Sequence, residues 1–145
     1  MRLSGLVVVS AALLLLGCSG GGSKSKDNAQ DRLFALINDY YKSTHGHALE
    51  RSGQIEKAAT GHAHDLCYGI QYTYSRTYKY PSGSSSPEQR IQDQGYSGFT
   101  FVDDDGIHVS PSTSEQQVFN TLQGMGLFNN ASATKIGVGR YYCPG

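Results

Sequence analysis

The sequence predicts a single α+β domain, on three observations. Apolar residues recur at helical spacing over 31–41 and again over 55–66, and extended stretches rich in Val, Ile, Tyr and Thr follow later in the chain. About 115 residues remain to fold after a distinct N-terminal stretch, enough for one core. Twelve Lys and Arg stand against twelve Asp and Glu. That balance leaves no basic excess to neutralise phosphates, so no nucleic-acid partner is expected.

The N-terminal stretch comes first. Arg2 is followed by a run without charge from Leu3 to Gly17, ending in Leu15-Leu16-Gly17-Cys18-Ser19 and passing into Gly, Ser and charged residues up to Gln30. A charged start with an apolar run of this length reads as a secretory signal, too short to span a bilayer comfortably. Leu15-Leu16-Gly17-Cys18 resembles the lipobox of bacterial lipoproteins. The resemblance implies that residues 1–17 are a signal peptide cut before Cys18, that Cys18 is acylated, and that residues 18–30 form a flexible tether to the membrane. Each methylene buried by such an anchor contributes about 0.8 kcal/mol, so more than one acyl chain is needed for stable attachment. Ser19 stands where Asp would mark inner-membrane retention in Gram-negative bacteria, and outer-membrane sorting is expected in such a host. The alternatives are a plain signal peptide with an incidental cysteine and an uncleaved anchor.

With Cys18 taken by lipid, Cys67 and Cys143 form an even pair in an exported, oxidising compartment, and a disulfide between them is expected. The long loop it closes corresponds to about 4 to 5 kcal/mol in the chain-entropy description. Two buried free thiols are the other reading.

Leu33, Leu36, Ile37, Tyr40 and Tyr41 share one face of a first helix, broken at His45-Gly46-His47. Ile55, Ala58, Ala59, His62 and Leu66 define a second, with His62 on its inner face. Cys67 to Tyr74 alternates and reads as extended. Half of the ten tyrosines lie between Tyr68 and Tyr80. They are either an aromatic surface for sugars, peptides or lipid headgroups, or amphipathic residues packing a half-buried sheet. Ser86-Pro87-Glu88-Gln89 predicts a short helix with Ser86 as N-cap and Gln89 closing a capping box, ending at Gly95. Two extended pieces, 99–102 and 107–109, flank an expected turn at Asp103-Asp104-Asp105-Gly106. A fourth helix starts near Ser112 or Thr113, turns Val118, Phe119 and Leu122 inward, and stops at Gly124 or Gly126. Residues 135–142 form the last strand, with Gly137 and Gly139 on one face, where another backbone or a helix is expected to approach closely.

Several of these segments, taken in order, resemble the CAP superfamily of cysteine-rich secretory proteins, antigen 5 and plant pathogenesis-related proteins. They are Leu36-Ile37-Asn38-Asp39-Tyr40-Tyr41 with His45-Gly46, then Ala58-Ala59-Thr60-Gly61-His62-Ala63-His64-Asp65-Leu66. Ser84-Ser85-Ser86-Pro87-Glu88-Gln89-Arg90-Ile91 follows, leading to Gly95-Tyr96-Ser97, and Ile136-Gly137-Val138-Gly139 closes the series. The resemblance implies a three-layer α-β-α sandwich over 31–145, with a small central antiparallel sheet. It also implies a cavity of two histidines and two acids, from which this chain departs. Tyr72-Thr73-Tyr74-Ser75-Arg76 stands where the first histidine is expected, aspartates around Asp103 replace the Gly-Glu-Asn segment, and no histidine follows His108.

The remaining histidines and acids give the candidate sites. His62 reads as a core histidine, or as part of a ligand site with Tyr72, Tyr74 and His108. His45, His47, His64 and Asp103 are candidate ligands for a divalent metal. Residues two apart on a helix point about 200° apart, so His62 and His64 should not chelate one ion, and His64 is expected to face solvent or cap the helix end. The acidic turn lacks EF-hand spacing, and no Gly-x-Ser-x-Gly or paired acid and base is present. No catalytic residue is assigned, and a divalent metal is the one cofactor these residues allow. The function expected is a lipid-anchored, extracytoplasmic binding module for an envelope component, a lipid or a protein. The alternatives are a metal-dependent hydrolase or peptidase with relocated ligands, and a purely structural envelope lipoprotein.

Overall fold

The computed structural model describes residues 6–16, 24–67, 86–110 and 112–143. The elements in order are β1 (Leu6–Leu16), α1 (Lys24–His45), β2 (Glu50–Arg51), α2 (Gly53–Cys67), α3 (Pro87–Asp93), β3 (Phe99–Val109), α4 (Glu115–Gly124) and β4 (Ala133–Cys143). This is a mixed α+β chain, as expected. Among the described residues no helix is long and apolar enough to cross a membrane.

The strands form one sheet in the order β2-β4-β1-β3. Every ladder among the described residues is parallel, which corrects the expected antiparallel sheet. The reason lies in the connections. At least one helix separates each strand from the next, so the chain returns to the same end of the sheet before each new strand begins.

Leu6–Leu16 takes an interior position, paired with β3 from Leu6 to Leu15 and with β4 from Val7 to Leu16. Both partners carry one extra residue opposite the start of β1, Thr100 in β3 and Thr134 in β4. Such a bulge reverses the facing of whatever precedes it. Hence Phe99 packs on the same side as Val102, and Ala133 on the same side as Ile136.

The two faces of β4 meet different helices. Ile136 and Val138 join Leu33, Ile37, Tyr41, Val118, Phe119, Leu122 and Phe128 in the larger core, built by α1 and α4. Gly137 and Gly139 lie against α2. A Cβ on Gly137 would fall 2.2 Å from the Glu56 nitrogen, and one on Gly139 2.1 Å from the Thr60 nitrogen. Real side-chain atoms do not approach backbone that closely, so the glycines are what lets the helix touch the strand. The smaller core, Ile55, Ala58, Ile91 and Tyr96, sits on this side with Phe99 and Val102 against it.

Four local expectations are revised. First, α1 starts at Lys24, inside the stretch read as a tether; Ala29 is buried, and Gln30 Nε2 donates to the Val138 carbonyl at 2.7 Å. Second, Ser86 caps α3 by accepting from the Gln89 N–H at 3.1 Å, but the Gln89 side chain donates instead to Asp93, 2.9 Å away, so only half of the expected box forms. Third, a complete box forms on α4, where Ser114 and Gln117 bond reciprocally, a residue or two beyond the start read from the sequence. Fourth, the acidic turn is absent: Asp103 to Gly106 continue the strand, paired with Val9 to Ala12 of β1. The extended segment read over 67–74 begins at the last residue of α2 and otherwise lies outside the described residues, as do Tyr72 and Tyr74.

Candidate functional site

Beyond the bulge, β3 alternates between the two cores. Phe101, Ile107 and Val109 pack with the larger core, and Val102 with the smaller. Asp104 therefore points toward α2 and α3, where it meets two buried side chains, a guanidinium and an imidazole. Arg90 Nη2 of α3 donates to Asp104 Oδ2 at 2.6 Å, and His62 Nε2 of α2 lies 3.7 Å from the same oxygen. All three side chains are at least 95 % buried.

Burying a carboxylate is costly unless it is paired, and the guanidinium supplies the pairing here. Short α3 has two functions in this: its Ser86 cap fixes the first turn, and Arg90 then carries charge into the interior one turn later. Sharing one carboxylate oxygen between guanidinium and imidazole ties α2, α3 and β3 together. Chemically the cluster resembles an orienting network more than an acid and base pair, since Arg90 already occupies the oxygen nearest His62.

Asp103 and Asp105 project to the opposite face. Burial raises the carboxyl of each above the ordinary range, and the Gly106 N–H partly offsets this for Asp105. Burial, with the nearby Asp103 charge, pushes the Tyr41 hydroxyl up to about 12. That hydroxyl donates to the Asn130 carbonyl at 3.2 Å.

The metal candidates separate. His45 Nε2 donates to the Phe128 carbonyl at 2.9 Å and His47 Nε2 to the Ala133 carbonyl at 2.7 Å, so both imidazoles fasten the end of α1 to the chain entering β4. They pack around Tyr41, with ring centroids 4.8 and 5.9 Å from it. His64 corrects its expectation: instead of facing solvent it is buried, edge-on to Tyr141 with centroids 4.8 Å apart. Its position continues the line of Glu56 and Thr60, spaced four residues apart on the helix, along β4. Among the described residues no three His, Cys, Asp or Glu gather in a metal-holding group. The side chains of His108, Cys67 and Cys143 lie outside the described residues, as does Cys18.

Sequence reading placed His62 correctly on an inner face, and missed Arg90 and Asp104. A signal existed for Arg90: on a helix of this length it adjoins Ile91, and both are buried. Nothing in the run of three aspartates marked the middle one.

No family model, curated protein or solved structure matches the chain.

Proposed function

We propose that the chain is a lipid-anchored, extracytoplasmic CAP-like domain of the bacterial cell envelope, with helical layers on both faces of its sheet, and that it binds a ligand rather than catalysing a reaction. The observation that carries this reading is the way α2 and β4 run in step. Gly137 meets Glu56, Gly139 meets Thr60, and Tyr141 meets His64. Four residues of helix rise about 6 Å and two of strand about 6.6 Å, so the two elements advance in step from Glu56 and Gly137 to His64 and Tyr141. Cys67 closes α2 and Cys143 closes β4, and the matched course of the two elements supports the proposal of a disulfide and, with it, an oxidising compartment. The lipobox-like Leu15-Leu16-Gly17-Cys18 supports the same export route.

Binding is favoured over hydrolysis because the histidines nearest a ligand set are committed elsewhere. His45 and His47 hold carbonyls, and His62 shares Asp104 with Arg90. The ligand class is an envelope component, a lipid or a protein.

Mass spectrometry of the protein recovered from its host's envelope tests this reading. The expected product begins at acylated Cys18 and, without reductant, yields one cross-linked peptide containing Cys67 and Cys143. An unacylated, intact chain in the cytosol would overturn it. Chelator-sensitive hydrolysis by the purified protein, accompanied by stoichiometric bound transition metal, would replace the binding module with the enzyme.

A further inference from the structure

Five residues, Ser19 to Ser23, separate Cys18 from the first residue of α1, Lys24. Fully extended, such a link reaches about 20 Å. An acyl chain on Cys18 therefore keeps the start of α1 within that distance of the lipid headgroups. What else lies at this end follows from the direction of α1. Gln30 donates to the Val138 carbonyl, and His47, just past the other end of the helix, bonds to the Ala133 carbonyl, so α1 and β4 run antiparallel. Arg140 stands two residues beyond Val138, about 6.6 Å further along the strand. Four helical residues rise about as far, which sets Arg140 level with the first turn of α1. It shares the face of Ile136 and Val138, toward α1 and α4.

The guanidinium at this end is only partly satisfied. Nη2 donates to the Tyr142 hydroxyl, and the Tyr142 ring lies across the group, its centroid 4.3 Å away. Nε and Nη1 are buried without a hydrogen-bond partner among the described residues. Glu115 is near enough to act on the Arg140 charge, but its carboxylate is bonded by Arg32 at 2.6 Å, and Arg32 adds a second positive charge nearby. Burial holds the Arg140 guanidinium below its ordinary range. A cation whose planar fork has idle donors is complementary to an oxyanion, phosphate or carboxylate.

Resting on the export reading above and narrowing its ligand class, we infer that Arg140 binds the phosphate group of a lipid in the membrane that anchors the chain. The tether selects among oxyanions, because lipid phosphates are the ones it keeps within reach at high effective concentration. One phosphate oxygen takes the Nη2 donor from the Tyr142 hydroxyl and a second accepts from Nε on the same edge of the fork. The half-buried Tyr142 ring, next to the end of β4, turns aside to admit them. The domain then rests on the bilayer by this end.

The test uses the acylated protein purified from its envelope in a phosphate-free detergent, with the mass at Cys18 confirmed. Dihexanoyl phosphatidylglycerol and inorganic phosphate are titrated into it separately, following the thermal midpoint. A saturable rise with the lipid is expected. Binding should be about tenfold weaker or worse in Arg140→Gln, and also in Arg140→Lys, which keeps the charge and loses the fork. Without lipid, Arg140→Gln should melt no lower than the parent, since it removes a cation the fold leaves unpaired. A midpoint several degrees lower would show that the fold itself satisfies the guanidinium, and would overturn the inference. So would the absence of a saturable shift, or lipid binding of equal strength in the parent and Arg140→Gln. Inorganic phosphate binding as tightly as the lipid would overturn the lipid assignment in favour of a soluble phosphate compound. Each of these results, obtained with acylated Cys18, leaves the export reading intact; a chain without the acyl group would overturn both.

Discussion

The two faces of the sheet are held by different physics. Toward α1 and α4 the contact is apolar and aromatic: Phe119 and Phe128 stack with centroids 5.4 Å apart, and Tyr40 meets both. Toward α2 and α3 it consists of backbone against backbone at Gly137 and Gly139, a small apolar core, and one buried carboxylate between a guanidinium and an imidazole. The first face is a matter of volume and tolerates shape changes that conserve it. The second depends on distance and charge, where the removal of one partner or the addition of one methyl group has no means of being absorbed.

Substitutions can break that contrast, beginning with the largest expected effect. Asp104→Leu should destabilise the fold by about 3 to 5 kcal/mol in urea denaturation, because it leaves Arg90 charged in the interior. Adding Arg90→Met to it should recover most of the loss, since a buried ion pair is often replaceable by apolar residues of similar volume. A double variant no more stable than the single one would show that the cluster contributes more than charge compensation.

Gly139→Ala should cost about 2 to 3 kcal/mol, although it adds only a methyl group, because that carbon meets the Ala59 and Thr60 backbone. Phe128→Leu on the opposite face, which removes several carbons, should cost about the same or less. If the glycine variant is the milder by a wide margin in matched denaturation curves, α2 is less rigidly applied to β4 than its geometry indicates. Ser114→Ala, which opens the capping box of α4, should cost about 1 kcal/mol by the same measurement.

Acidification sharpens the contrast by a smaller amount. Asp103 has its carboxyl raised by burial, so the folded chain holds that proton more tightly than the unfolded chain does. A group of this kind withholds stability at neutral pH and returns it as the pH falls through the raised value toward the ordinary carboxylate range. Glu115 has the opposite sign: hydrogen-bonded by Arg32, it is held below its usual range, and its contribution is lost only as the pH drops through that lowered value. Asp103→Asn should accordingly raise the thermal midpoint near neutral pH and flatten its response to mild acid. A midpoint that falls on substitution would place the aspartate among groups that stabilise in ionised form.

What sequence reading recovered follows the same division. The stripes of α1, α2 and α4 place Leu33, Ile37, Tyr41, Ile55, Ala58, Val118, Phe119 and Leu122 inward, as periodicity predicts, because burial of apolar area follows helical spacing. Gly137 and Gly139 were legible for a local reason: glycine on alternate positions of a strand gives up packing surface, and close approach of another backbone compensates. Asp103 to Gly106 read as a turn because three aspartates and a glycine are turn formers by local preference. The preference was overridden from a distance, by Arg90 on another helix, and no window along the chain contains both residues. His64 went astray for the same reason, since its partner Tyr141 lies on the last strand.

By itself the sequence determined the cores of α1, α2, α3 and α4, which of their faces are apolar, the Ser86 cap, the last strand with its two glycines, and the apolar run that ends at Cys18. These are properties of a few neighbouring residues and their solvation. Tertiary structure alone decided that the strands run parallel, that Asp104 is buried against Arg90 instead of exposed in a turn, that His45, His47 and His64 are fastened separately, and that α2 lies backbone to backbone on β4. Each of those depends on groups brought together by folding, whose energies exist only at contact distance and are written nowhere in the local order of residues.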